Sequence, residues 1–161
     1  MSTLQLKIQS PAERRSAKAQ LCELIDKFAR AHERLIVATR RSLRKRLPTA
    51  HEVVYEYRDF FVISYSPNAH GYEGVFGIRA SANGVRLYFN QGKGLPDPEK
   101  LLQGSGKQTR WIQLEGASTL ARPAVARLID EAIVRNPVPF AGTGHGPVII
   151  RSVLAKQRRP G

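Results

Sequence analysis

"LPTAHEVVYEYRDFFVISYS", residues 47 to 66, is where one periodicity gives way to another. Upstream, Leu21, Leu24, Ile25, Phe28, Leu35, Ile36, Leu43 and Leu47 recur at about 100° per residue, the spacing of one helix face, with His32 and Thr39 inside the stripe. Pro48 disfavours helical backbone at Leu47 and ends the run. Beyond it the period is two. Val53, Tyr55 and Tyr57 alternate with Val54, Glu56 and Arg58, and Phe61, Ile63 and Tyr65 share one face of a second extended run. The stretch therefore closes a helical region and opens a sheet.

Working outward, "SPAE" starts the helical region: Ser10 can cap it, Pro11 tolerates the first position, and Glu13 completes a capping box. The pattern from Ser10 to Leu47 is long for a globular helix, and one helix or two broken near residues 30 to 32 fit it equally. Cys22, the only cysteine, falls within it and is expected as a small buried apolar residue. On the C-terminal side, "EGVFGIRA" and "VRLYFN" flank "SANG", where Asn83 and Gly84 are expected to supply the positive φ angles of a two-residue hairpin turn. A loop follows, with one helical turn expected at residues 99 to 102. "TRWIQL" is then a fifth strand, and "ARPAVARLIDEAIVRNP" a helix opened by Pro123 and ended by Asn136 and Pro137. Helices at both ends of an antiparallel meander predict an α+β fold: a sheet of about five strands with the N-terminal and C-terminal helices packed on one face. Residues 1 to 136 make one domain. Residues 137 to 161 form a Gly/Pro-rich, basic extension in which "VIIRSVL" can add an edge strand and "AKQRRPG" is expected to be mobile.

The formal charge is +13 over 161 residues, and it is uneven. Residues 1 to 50 hold 12 Lys and Arg against 4 Asp and Glu, whereas residues 51 to 100 hold 5 against 6. The helical face opposite the apolar stripe carries Arg30, Arg34, Arg40, Arg41, Arg44, Lys45 and Arg46. Of these, Arg30, Arg34, Arg40, Arg41, Arg44 and Lys45 are the candidate binding surface, and a polyanion or an acidic protein surface is the expected partner. Glu23 and Asp26 each stand four residues ahead of a base, Lys27 and Arg30, in the orientation that neutralises both. No run of about 18 uncharged apolar residues and no apolar leader is present, so a cytoplasmic protein without membrane contact is expected.

"GSGKQTR" contains the letters of a phosphate-binding loop but not the spacing. The first glycine position holds Leu101 and the hydroxyl position Gln108, and a strand follows instead of a helix. A looser anion contact through Lys107 and Arg110 remains. His32, His51, His70, His145 and Cys22 show no close ligand spacing, so no metal site and no cofactor are expected. Ser64 and Ser66 lack a nucleophile elbow, and Glu52, Glu56 and Asp59 read as solvated carboxylates beside Arg58. No catalytic residue is nominated, and a non-enzymatic role is favoured. Tyr55, Tyr57, Phe61, Tyr65, Phe76, Tyr88, Phe89 and Trp111 interleave with Arg58, Arg79, Arg86 and Arg110, a mixture also found on single-strand nucleic-acid platforms, although alternation sends most of these rings to the core.

The order of segments, "LRKRLPTAHEVVYEYRDFFVISY", a hairpin, then "GKGLPDPEKLLQGSGKQTRWIQLEGASTLARPAVARLIDEAI", resembles the YdhG-like bacterial domain of unknown function from about Leu21 to Ile133. The resemblance implies a small α+β domain of frataxin-like architecture, and some members are described as frataxin-like iron chaperones. Iron takes hard oxygen ligands, whereas the helical face here is basic. The first reading is thus a non-enzymatic YdhG-like binding domain using its basic helix face; the alternatives are a frataxin-like iron-binding chaperone and a non-specific nucleic-acid binding protein.

Overall fold

The computed structural model describes residues 9 to 152 as three helices on one face of a six-stranded sheet. Helix α1 spans Pro11–Ala29 and α2 spans Glu33–Arg46, with a 3-10 turn at Arg30–His32 between them. The helical region is two helices, and the apolar stripe runs through the break. At the start of α1 the Ser10 hydroxyl accepts from the Glu13 amide at 3.1 Å and the Glu13 carboxylate accepts from the Ser10 amide at 3.4 Å, the reciprocal box foreseen.

Strands β1 (His51–Glu56), β2 (Phe61–Ser66), β3 (Phe76–Ser81), β4 (Gly84–Phe89) and β5 (Arg110–Leu114) form an antiparallel meander. Helix α3, Pro123–Arg135, returns across the sheet, and β6, Val148–Ser152, pairs with β1 in parallel. The sheet order is β5-β4-β3-β2-β1-β6, six strands and mixed where about five antiparallel strands were expected. The segment after Pro137 thus returns to complete the sheet edge, with Val148 and Ile150 packed against the core. Parallel pairing follows from the route, because the chain crosses by way of α3 before coming back beside β1. Residues 153 to 161, with the basic tail, lie outside the described residues.

Register sorts the strand residues into two faces. Val54, Phe61, Ile63, Tyr65, Phe76, Ile78, Val85, Leu87, Phe89, Ile112 and Leu114 point to the helices and form the core with Leu21, Leu24, Ile25, Ile36, Leu43, Val125, Leu128 and Ile129. The opposite face carries Tyr55, Val62, Arg79, Arg86, Tyr88, Trp111 and Gln113.

Three local expectations change. The β3–β4 turn is centred on Ala82 and Asn83, one residue earlier than expected; Gly84 alone carries the positive φ, 133°, and already belongs to β4. Residues 99 to 102 form no helical turn. Instead the Asp97 carboxylate accepts from the Leu101 and Leu102 amides, both at 2.9 Å, and satisfies that backbone locally. Cys22 is exposed, because it sits one residue past the buried Leu21 and so points about 100° away from the stripe.

Candidate functional site

Two charged regions result, one inside the fold and one on its surface. The inner one is centred on Glu52. Its position in β1 shares the helix-facing side with Val54, so its side chain enters the core and is only 1 % exposed. Four donors meet it. Arg40 donates from Nε to Oε2 and from Nη2 to Oε1, both at 2.9 Å, Arg44 donates from Nη1 to Oε1 at 2.9 Å, and the Tyr65 hydroxyl donates to Oε2 at 2.8 Å. The two-pronged Arg40 contact is the strongest geometry open to a guanidinium and a carboxylate. Burial pushes the Tyr65 phenol well above its usual pKa, and the adjacent Glu52 charge adds to the effect. For Arg40, burial works downward but is outweighed by hydrogen bonding and attraction to Glu52, so its pKa rises.

This cluster corrects part of the expected binding surface. Arg40 and Arg44 are not opposite the apolar stripe: at 100° per residue they stand about 60° and 100° from Leu43, on the flank that leans over β1. Glu52, expected to be solvated near Arg58, is the reason they turn inward. Arg46, on the other flank, meets Asp130 of α3 at 3.1 Å. Lys27 likewise pairs across to Glu56 at 2.7 Å and not back to Glu23.

What remains outward on α2 is a narrower row. Arg34, Arg41 and Lys45 lie within about 40° of one another on the side facing away from the sheet, and Arg30 precedes them in the 3-10 turn. All four are exposed, and none takes part in an ion pair among the described residues. Arg34 and Arg41 border a shallow groove with Val37 and Ala38, of about 310 Å³, with Glu33 at one side.

The loop before β5 provides less than the sequence suggested. Lys107 is exposed, but Arg110 donates to its own loop carbonyls, Gly106 at 2.6 Å and Thr109 at 2.8 Å. Gly104 adopts a φ of 115° and lies against the Trp111 indole, while Gln103 and Trp111 exchange backbone hydrogen bonds at 2.8 and 2.9 Å. The Gly-Lys pair thus belongs to a loop that folds back on the edge strand.

A cavity of about 250 Å³ lies beside the C-terminal end of α3, floored by Val75, Phe89 and Ala132 and rimmed by Arg135 and Asn136. None of the strand tyrosines lines it, and Arg135 is engaged by Glu131 and the Gly94 carbonyl, both at 2.9 Å. Among the described residues no group of three or more His, Cys, Asp or Glu could hold a metal ion, and no helix is long and apolar enough to cross a membrane. No family model, no curated protein and no solved structure matches this chain.

Proposed function

We propose that this chain is a non-enzymatic, YdhG-like binding domain whose ligand is a polyanion, contacted by the outward row of α2. The observation that carries the reading is the contrast along α2 and the turn that precedes it. Arg40, Arg44 and Arg46 have carboxylate partners, whereas Arg30, Arg34, Arg41 and Lys45 are exposed without one among the described residues. Clustered cations with no internal counter-charge favour a ligand that brings several negative charges at once, because each phosphate neutralised releases condensed counterions. Iron chaperoning has no comparable support. Glu52, the most buried carboxylate, already accepts four hydrogen bonds and has no oxygen to offer a metal.

The test is a charge-reversal comparison at low salt. Arg34→Glu with Arg41→Glu is expected to weaken binding of a fluorescein-labelled single-stranded oligonucleotide, read by anisotropy, by about tenfold or more, since it removes two of the contacting charges and adds two repulsive ones. Equal affinity in the variant and the wild type would refute the α2 row as the contact surface.

A further inference from the structure

The sheet face turned away from the helices holds a second arrangement. Tyr57 and Phe60, in the β1–β2 turn, stack with centroids 4.6 Å apart and planes 12° from parallel. The Arg79 guanidinium lies over the Phe60 ring at 3.9 Å. Arg79 is directly opposite Arg86 in the β3–β4 register, and the Arg86 guanidinium lies over the Trp111 ring, again at 3.9 Å. The result is a continuous row from the β1–β2 turn across β3, β4 and β5, in the order Tyr57, Phe60, Arg79, Arg86, Trp111.

Two features of this row are costly for the isolated fold. Like charges directly opposite on neighbouring strands repel. Burial, followed by the positive charge of Arg86, lowers the pKa of Arg79. Yet no strand position on this face is a carboxylate, and no ion pair among the described residues involves either arginine. Along the chain the acid closest to Arg79 is Glu73, which accepts from the Asn68 side-chain amide, and Asp59 in the β1–β2 turn and Glu115 just past β5 are exposed. Each guanidinium is partly offset by the ring beneath it, but two cations side by side on a regular sheet without a carboxylate partner are a local conflict of the kind that marks a functional surface.

The covering of the face is also selective. At the β1–β2 end the segment of residues 67 to 74 folds over the strands: the Gly71 amide donates to the Tyr55 hydroxyl at 3.0 Å, and the Ser64 hydroxyl donates to the Gly71 carbonyl at 2.9 Å. Toward β3 and β4 no segment does so among the described residues, and Arg79 is exposed, while at the β5 edge Gly104 lies against the Trp111 indole. From β2 to β5 the row spans three strand spacings, about 14 Å.

We infer that this row is a stacking platform for single-stranded nucleic acid, with bases lying on the guanidinium-capped rings at Phe60 and Trp111 and backbone phosphates set against Arg79 and Arg86. The inference rests on the polyanion reading and sharpens it by naming the class. A free phosphate or an acidic peptide would satisfy the charge but leave the flat surfaces unused, and a duplex keeps its bases out of reach. A single strand supplies both, and the platform takes about two or three of its bases.

Trp111 is the only tryptophan, so intrinsic fluorescence reports on the platform itself. The experiment titrates the protein with (dT)12, with an abasic 12-mer carrying the same phosphates, and with a 12-base-pair duplex, and follows tryptophan emission together with anisotropy of the labelled strands. (dT)12 is expected to quench Trp111 saturably and to bind about tenfold or more tighter than the abasic strand, with the duplex weaker than (dT)12. Arg79→Ala with Arg86→Ala, both on the sheet surface, is expected to weaken (dT)12 by about tenfold with an unchanged circular dichroism spectrum; Trp111→Ala gives the same answer if it folds. Equal affinity for the abasic strand, or binding with tryptophan emission unchanged, overturns the platform while leaving the polyanion reading standing. Absence of binding by any strand at low salt overturns both.

Discussion

Glu52 shows how one residue can redirect a surface. Its carboxylate has four donors within 2.9 Å, so the ionised form is fully solvated by protein. Replacing it leaves two guanidiniums facing a neutral group in the core. Glu52→Gln is expected to cost about 3 kcal/mol in urea unfolding, the usual penalty for breaking a buried pair from one side. Tyr65→Phe removes a single donor and should cost about 1 to 2 kcal/mol. A loss below about 0.5 kcal/mol in both variants would mean that the cluster does not hold α2 to the sheet. His51, beside Glu52 in sequence but on the other face, makes a different prediction. It is buried, its Nδ1 has no partner among the described residues, and burial holds its pKa below the ordinary 6.5. Below about pH 6.5 the unfolded chain takes up a proton that the fold resists, so stability falls as pH drops through that value. Thermal melts at pH 7.5 and 5.5 should show a smaller acid loss for His51→Gln than for wild type. An identical loss in both would place the acid sensitivity elsewhere. Of these features, the sequence gives only the alternation that puts Glu52 on the same side as Val54. Its arginine partners lie 12 and 8 residues back on α2 and its tyrosine partner 13 residues ahead on β2, and that pairing is visible only in three dimensions.

At the scale of elements, most boundaries were legible because local chemistry determines them. Ser10, Pro11 and Glu13 start α1, Pro48 ends the helical region, and Pro123 opens α3. Ser10→Ala should destabilise the protein by about 1 kcal/mol through the lost cap, measured as a shift in the urea midpoint at constant slope; no shift would mean that the first turn frays in the native state. The hairpin is legible in the sequence but the exact place of its turn is not, since "ANG" allows the glycine either inside the turn or just after it. With Gly84 at φ 133°, Gly84→Ala is strained in the backbone, whereas the Gln113 side-chain end that its Cβ would meet can move aside. The expected charge face of α2 was too wide for a related reason. Seven cations lie off the apolar stripe, but a flank residue within about 100° of it can bend toward a neighbouring element, Arg40 and Arg44 toward β1 and Arg46 toward α3. Sequence alone held the signal in the helical angle, with Arg34, Arg41 and Lys45 standing nearly opposite Leu43.

For the whole molecule, the α+β class and one-sided helix layer follow from the order of periodicities, and "VIIRSVL" is legible as an added edge strand, whereas its parallel pairing with β1 is long-range and no local pattern encodes it. That strand has a mechanical role, because without β6 the β1 edge would present unpaired backbone groups beside Val53 and Val54. Truncation after Pro147 is expected to lower the unfolding temperature and to promote association in size-exclusion chromatography; a monomer of unchanged stability would show that the edge needs no cover. The same layering separates the two cationic surfaces, the outer row of α2 on one side and the Arg79–Arg86 row on the other. Both follow from a single property, a net charge of +13 of which only part is neutralised within the fold. The measurement that tests this most directly is the salt dependence of (dT)12 affinity. If uncompensated cations form the contact, log K falls linearly with log salt at a slope steeper than about −2, corresponding to three or more phosphates at about −0.7 each. A slope near zero, or no binding at about 50 mM salt, where such contacts are strong, would contradict the account.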